Sequence, residues 1–235
     1  GAGVVGGDLS AGDSLIVSVT VLGDLEGRAP VLRSGARPGD AVVHVGTLGR
    51  SAAGLALLSA GTDNAPGLQD AAPGGQKQPE AWACIEAFRA PTPPLTAGRE
   101  LALTGATSML DVSDGLLRDA GRIAHASGVV IDLVDPDDLP DASFLEPVAV
   151  LVSGHDGSAA RELARSWLLT GGEDHGLLAT IPADALERLP AEARIIGRVL
   201  SPQSSPARVL RHRPGVLLAG ELAQEHSGWD HFSHT

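Results

Sequence analysis

The run Asp111-Val112-Ser113-Asp114-Gly115, set directly ahead of an amphipathic stretch, constrains this chain more than any other feature. Leu116, Leu117, Ala120, Ile123 and Ala124 recur at helical spacing. Ser113 or Asp114 is placed to cap the helix that follows. Two carboxylates and a hydroxyl are therefore expected where a loop enters a helix, beside N–H groups that lack intrahelical partners and at the positive end of the dipole. Alone, the carboxylates would repel a phosphate. With Mg²⁺ between them the sign reverses, because Mg²⁺ takes one or two carboxylates together with phosphate oxygens. A solvent-facing helix cap is the plainer outcome for such a run in isolation, so the rest of the chain must decide.

Ahead of that run, Val4-Val5-Gly6-Gly7-Asp8 is a short β-like segment ending in a glycine pair and an acid. Ile16–Leu22 alternates and is β-branched, which predicts a strand. Leu32–Asp40 is a turn-rich connector with Arg33 and Arg37, and Ala41–Val45 is a second strand. Gly46–Leu55 then runs from a glycine-rich turn into a helix of small residues. That layout presents backbone N–H groups to an anion, although tight helix packing is the better account of the glycines. Residues 61–80 are rich in Gly, Pro, Gln and Asp and cannot bury a core. A short helix over Glu80–Arg89 is stopped by Pro91-Thr92-Pro93-Pro94, and the domain boundary is placed there, giving 1–90 and 91–235.

In the second part, helices are expected over Thr96–Thr104, from Leu116 to about Ser127, over Asp141–Val152 and over Ala183–Leu189. Strands are expected over Gly128–Leu133, Leu177–Ile181, Ala193–Val199 and Gly215–Leu218. Alternation of this kind argues α/β layering. Glu162–Leu169 leads into Gly171-Gly172-Glu173-Asp174-His175-Gly176 ahead of the next strand, and the given sequence closes on a polar tail containing Gly228-Trp229-Asp230-His231-Phe232.

Composition excludes several classes of partner. Net charge is −12 with no run of Lys or Arg, which argues against nucleic acid and anionic membranes. Three Phe, three Trp and no Tyr leave little for stacking on bases. No stretch of 18 apolar residues predicts a transmembrane helix. The single cysteine, Cys84, allows no internal disulfide and sits in an apolar context, consistent with packing and with a reducing, cytoplasmic location.

Taken in order, these segments resemble thiamine-monophosphate kinases. The resemblance runs through Gly6-Gly7-Asp8, Ile16–Gly23, Arg33–Asp40, Gly46–Leu55, Asp111–Leu117, Gly171–Asp174, Ile196–Arg198 and Gly228–Phe232. It implies an α/β (α+β), two-domain fold of the aminoimidazole ribonucleotide synthetase type. Residues 1–90 would be the C-terminal part of an ATP-binding, dimer-forming N-terminal domain, which is incomplete here, and 91–235 a C-terminal α/β domain. The implied activity is ATP- and Mg²⁺-dependent phosphorylation of thiamine monophosphate to thiamine diphosphate, in a cytoplasmic homodimer. The alternatives are a sister enzyme acting on another phosphate substrate, or a non-catalytic fragment that binds nucleotide or metal.

By position, the resemblance gives Gly7, Asp8, Arg33 and Ser113 to ATP, Asp8, Asp111 and Asp114 to several Mg²⁺ ions, and Glu173, Asp174 and Trp229 to the thiamine substrate. No catalytic side chain is assigned, because the acceptor is a phosphate already ionised near neutral pH. The resemblance further implies a preceding segment with a Gly-Asp-Asp element and another metal-binding Asp, so the sequence reads as if it opened inside a domain. It departs from the pattern at Leu9, where Thr is common, and at His175-Gly176, where an aromatic and Glu are common.

Overall fold

The computed structural model describes residues 3–60, 78–207, 210 and 213–223. The chain divides into two compact units, Gly1–Pro30 and Val31–Thr235. The first carries no helix or strand among its described residues. The strand expected over Ile16–Leu22 is not formed: Ile16, Val17, Val19, Val21 and Leu22 are all more than two-thirds exposed. The physical reason is that alternation sets a face but supplies no partner, and a strand exists only when a neighbour takes its N–H and C=O groups.

The second unit is a seven-stranded mixed sheet with helices on both faces. Its elements are β1 Ala41–Val45, α1 Arg50–Ser59, α2 Pro79–Arg89, α3 Ala97–Thr104, β2 Ser108–Val112, α4 Leu116–Ser127, β3 Val130–Leu133, α5 Pro140–Ser153, α6 Ser158–Thr170, β4 Gly176–Ile181, β5 Arg194–Leu200, β6 Gly215–Leu218 and β7 Glu221–Leu222. Short 3₁₀ turns fill Pro136–Asp138, Ala183–Arg188 and Pro202–Ser204. The second of these replaces a predicted helix. The strand order is β2-β4-β1-β5-β3-β6-β7, antiparallel throughout except for β3 with β6.

β1 is buried along its whole length, and its period of two sorts the core. Val42 joins Leu57, Cys84, Ile123, Leu145, Leu168 and Leu178 beneath the helices on one face. Ala41, Val43 and Val45 face Leu101, Ala179, Ile181 and Ala185 on the other, under α3 and the 183–188 turn. A bulge between Val42 and Val43 shifts the pairing with β5 by one residue and brings Arg194 opposite His44.

The boundary expected at 90/91 falls inside this unit. β1 lies between β4 and β5, so residues on both sides of the proline-rich joint share one sheet. Pro91–Pro94 is a connector between α2 and α3. Pairing across so long a sequence separation leaves no trace in local composition. No described helix is long and apolar enough to cross a membrane.

Candidate functional site

The Asp111 run is built on β2, a strand absent from the sequence expectations. β2 pairs with β4 so that Asp111 stands opposite Leu177 and Val112 opposite Gly176. The chain then turns through Ser113 and Asp114 into α4. Neither of those residues caps the helix. The cap position is Gly115, at φ 107°, and it has no side chain to offer. Asp119, in the first turn of α4, reaches back instead: its Oδ2 accepts from the Ser113 N–H at 3.1 Å and the Asp114 N–H at 3.0 Å. Its Oδ1 accepts from Arg122 Nη1 at 2.6 Å, and the same Nη1 meets Asp114 Oδ2 at 2.5 Å. Asp119 is fully buried, and burial pushes its carboxyl above the usual range against the pull of the Asp114 N–H and Arg122. The turn is thus held from beneath by one acid and one cation.

Residues 171–176 lie across this turn. Glu173 donates its N–H to Ser113 O at 2.9 Å, and His175 to Val112 O at 3.0 Å. The approach leaves no room for side chains: a Cβ on Gly172 would sit 2.4 Å from Ser113 O, and one on Gly115 2.7 Å from Thr170 O. Glu173 and His175 both adopt left-handed backbone, φ 67° and 53°, a conformation that costs a non-glycine residue roughly 1–2 kcal/mol. The His175 ring lies between two acids, with Nδ1 3.7 Å from Asp111 Oδ2 and Nε2 3.5 Å from Glu173 Oε2. Asp111, Ser113, Asp114 and Glu173 therefore share one two-loop platform.

Asp174, expected beside Glu173 on the substrate side, points the other way. Its carboxylate is buried against the start of α1, where Oδ2 accepts from the Gly49 N–H at 2.6 Å and Oδ1 from the Ser51 N–H at 3.1 Å and the Thr47 hydroxyl at 3.4 Å. Burial raises its carboxyl to about 6, with the charge of Asp141 adding to the effect and the N–H donors opposing it. The reason for the inward turn is backbone: with left-handed residues on both sides, the side chain of 174 leaves the opposite face of the loop from its neighbours. The glycine-rich turn before α1 does bind an anion, and the anion is Asp174.

Behind this turn lies a polar core. Asp141 accepts from the Leu48 N–H at 3.1 Å and pairs with Arg194, which also donates to Gly46 O at 3.0 Å and to His44 Nδ1 at 3.1 Å. Burial, helped by Arg194, lowers His44 to about 3, so its ring is neutral. His44 Nε2 has no partner among the described residues and occupies the space a Cβ on Gly176 would need, 2.5 Å away.

The remaining expected residues are distributed as follows. Arg33 is exposed, and its carbonyl accepts from the Ser127 hydroxyl at 3.4 Å. That is the C-terminal end of α4, roughly 18 Å along the helix from the platform at ~1.5 Å per residue, so the structure does not bring Arg33 to Asp111. Gly7 and Asp8 belong to the first unit. Trp229 lies outside the described residues. Sequence reasoning misses Asp119 and Arg122, although their i,i+3 spacing on a predicted helix is a readable sign of a pair.

As a metal site, the platform offers the half-exposed carboxylate of Asp111, while Asp114 shares its charge with Arg122. Among the described residues no group of three or more His, Cys, Asp or Glu could hold a metal ion. That donor set suits a cation that completes its shell with water and phosphate oxygens, as Mg²⁺ does.

Comparison with known proteins settles the lineage. The family described as AIR synthase related protein, C-terminal domain, matches residues 37–207. The chain belongs to the AIR synthase related family. Its relatives in that family include the thiamine-monophosphate kinases of Mycobacterium tuberculosis, 40% identical over 237 residues, 99% of this chain and 58% of that protein, and of Corynebacterium glutamicum, 39% identical over 235 residues, 98% of this chain and 60% of that protein. Among solved AIR synthase related structures, AaThiL complexed with AMPPCP and TMP matches with a TM-score of 0.62 and 31% identity over 86% of this chain and 54% of that one. Thiamine-monophosphate kinase from Aquifex aeolicus matches with a TM-score of 0.59 and 30% identity over 83% and 54%. The chain thus spans 58–60% of the length of these curated relatives.

Proposed function

We propose that the complete protein transfers the γ-phosphoryl group of ATP to the phosphate of thiamine monophosphate, giving thiamine diphosphate and ADP. The observation that carries this reading is the joining of the 111–115 turn to the 171–176 loop, which sets Asp111, Ser113, Asp114 and Glu173 side by side. The names of the relatives support the same reading, as does a structural neighbour complexed with AMPPCP, an ATP analogue, and TMP.

Phosphoryl transfer passes through a loose transition state, so positioning and charge neutralisation outweigh acid–base chemistry. When bound, Mg²⁺ ions neutralise phosphate charge and orient the oxygens of an in-line transfer. Asp111 and Asp114 would hold metal on the platform, and the resemblance alone makes Asp8, in the first unit, a metal ligand. Arg122 keeps Asp114 oriented and offsets its charge. Ser113 serves the nucleotide and Glu173 and Trp229 the thiamine moiety, while the resemblance alone gives Gly7, in the first unit, to ATP. No general base is required, because the attacking oxygen belongs to an ionised phosphate.

On this reading Gly1–Pro30 belongs to the ATP-binding domain of a cytoplasmic homodimer, an assignment supported by the family resemblance of its segments. The test is direct: full-length protein with ATP, Mg²⁺ and thiamine monophosphate is assayed for thiamine diphosphate. Stoichiometric formation with ADP is expected. Absence of product with an otherwise folded, nucleotide-binding protein refutes the proposal.

A further inference from the structure

We propose that Asp174 is a positioning residue: its carboxylate latches the 171–176 loop onto the start of α1, and that latch sets Glu173 against the Ser113 turn and His175 against Asp111. This inference rests on the proposed function for its kinetic consequence but not for its structural one.

Three observations carry it. First, the anchor is specific. Asp174 satisfies two N–H groups at the start of α1 and a hydroxyl, all of which lie 123 to 127 residues away in sequence. Gly49 at the cap position has no side chain to do so. Second, the anchor is rigid. α1 packs on α2 so closely that a Cβ on Gly54 would stand 2.1 Å from Cys84 O. The turn itself is tied again by Asp141 and Arg194. Third, the loop needs holding. Two left-handed side-chain-bearing positions flank Asp174, and such conformations persist only where surroundings over-determine them. Here the restraints are the Glu173 and His175 N–H bonds to β2 and its turn on one side and the Asp174 carboxylate on the other. With residue 174 turned inward by the left-handed backbone and held there by the latch, His175 turns outward, where its ring lies between Asp111 and Glu173.

An ionised carboxylate is an expensive cap in a buried place, and its raised pKa reflects that cost. Asn offers only one acceptor oxygen, and its NH₂ would face an N–H donor.

The test uses full-length protein carrying Asp174→Asn, with Thr47→Val as a milder second variant that removes one of the three donors. If the latch positions the substrate side, Asp174→Asn raises KM for thiamine monophosphate at least tenfold while KM for ATP moves less than threefold, and Thr47→Val shifts the first in the same direction by a smaller factor. In parallel, amide hydrogen exchange at Glu173 and His175 accelerates at least tenfold, while amides of β4 beyond Leu178 are unchanged. Wild-type exchange rates at Glu173 and His175 in Asp174→Asn, in a folded protein, overturn the latch whatever the enzyme's activity. Accelerated exchange with both KM values unchanged, in an enzyme that makes thiamine diphosphate, overturns its positioning role. Failure of the wild type to make product refutes the proposed function alone and leaves the exchange result standing. If Asp174→Asn does not fold, Thr47→Val decides by the same two readouts.

Discussion

Glu173 gives its backbone N–H to the carbonyl oxygen of Ser113 at 2.9 Å, joining two loops far apart in the chain into one surface. The contact is between main chains, so side-chain identity matters there mainly through what must be absent. Gly172 is the clearest case, because a methyl group on it would lie 2.4 Å from the same oxygen.

Gly172→Ala is therefore expected to part the loops. Overpacking of this kind costs roughly 1–3 kcal/mol, and the full-length enzyme should lose at least about tenfold in kcat/KM. Thermal unfolding and steady-state kinetics on the same preparation check both effects.

Asp111 and Asp114 differ in their surroundings, and their variants should differ too. Asp111→Asn removes an exposed carboxylate and should leave Tm nearly unchanged. Asp114→Asn takes one of two carboxylates from Arg122 and should lower Tm modestly. Both should cut turnover of the full-length enzyme at least ~100-fold at saturating Mg²⁺. A rate near wild type removes the residue from the proposed metal site.

His44 and Asp174 give opposite pH dependences. In the fold His44 titrates near 3 against an ordinary 6.5, so below 6.5 the unfolded chain binds the extra proton and stability falls as pH drops toward 3. Asp174 titrates near 6 against an ordinary 3.8, so its contribution is greatest below 3.8 and is lost as pH rises toward 6. Each is worth up to about 1.4 kcal/mol per pH unit within its window. Urea unfolding between about pH 4.5 and 6 should show stability falling as pH rises for His44→Gln and rising with pH for Asp174→Asn, the two trends opposing each other in the wild type.

Gly54→Ala should separate α1 from α2, since its Cβ would overlap the Cys84 carbonyl. Burial also pushes the Cys84 thiol up to about 12, so native protein at about pH 8 should resist a thiol reagent. Gly54→Ala should both lower Tm and speed labelling of Cys84, followed as the rate of reagent consumption.

The sequence was most legible where a signal is local. The helices α2, α3, α4 and α5 and the strands β1, β3, β4, β5 and β6 follow from spacing, proline stops and β-branched runs. Both halves of the platform were visible as glycine-and-acid turns. β2 escaped because only two apolar positions, Met109 and Leu110, stand between Ser108 and Asp111, and its strand character comes from pairing with β4. Ile16–Leu22 erred the other way, with a pattern but no strand partner among the described residues. The opposite orientations of Glu173 and Asp174 follow from left-handed backbone at Glu173 and His175, which local sequence does not announce. Asp119 replaced the expected Ser113 or Asp114 cap because a longer reach from inside the helix bonds both N–H groups at once.

The position of β1 carries a biosynthetic consequence. Among the described residues it precedes the other strands of its sheet, yet both of its neighbours, β4 and β5, follow only after six α-helices and two further strands. At about 5–20 residues per second, a largely apolar segment with two unsatisfied edges waits on the ribosome for on the order of ten seconds before either neighbour emerges. Nascent chains of this protein should therefore depend on holding chaperones until β4 and β5 have emerged.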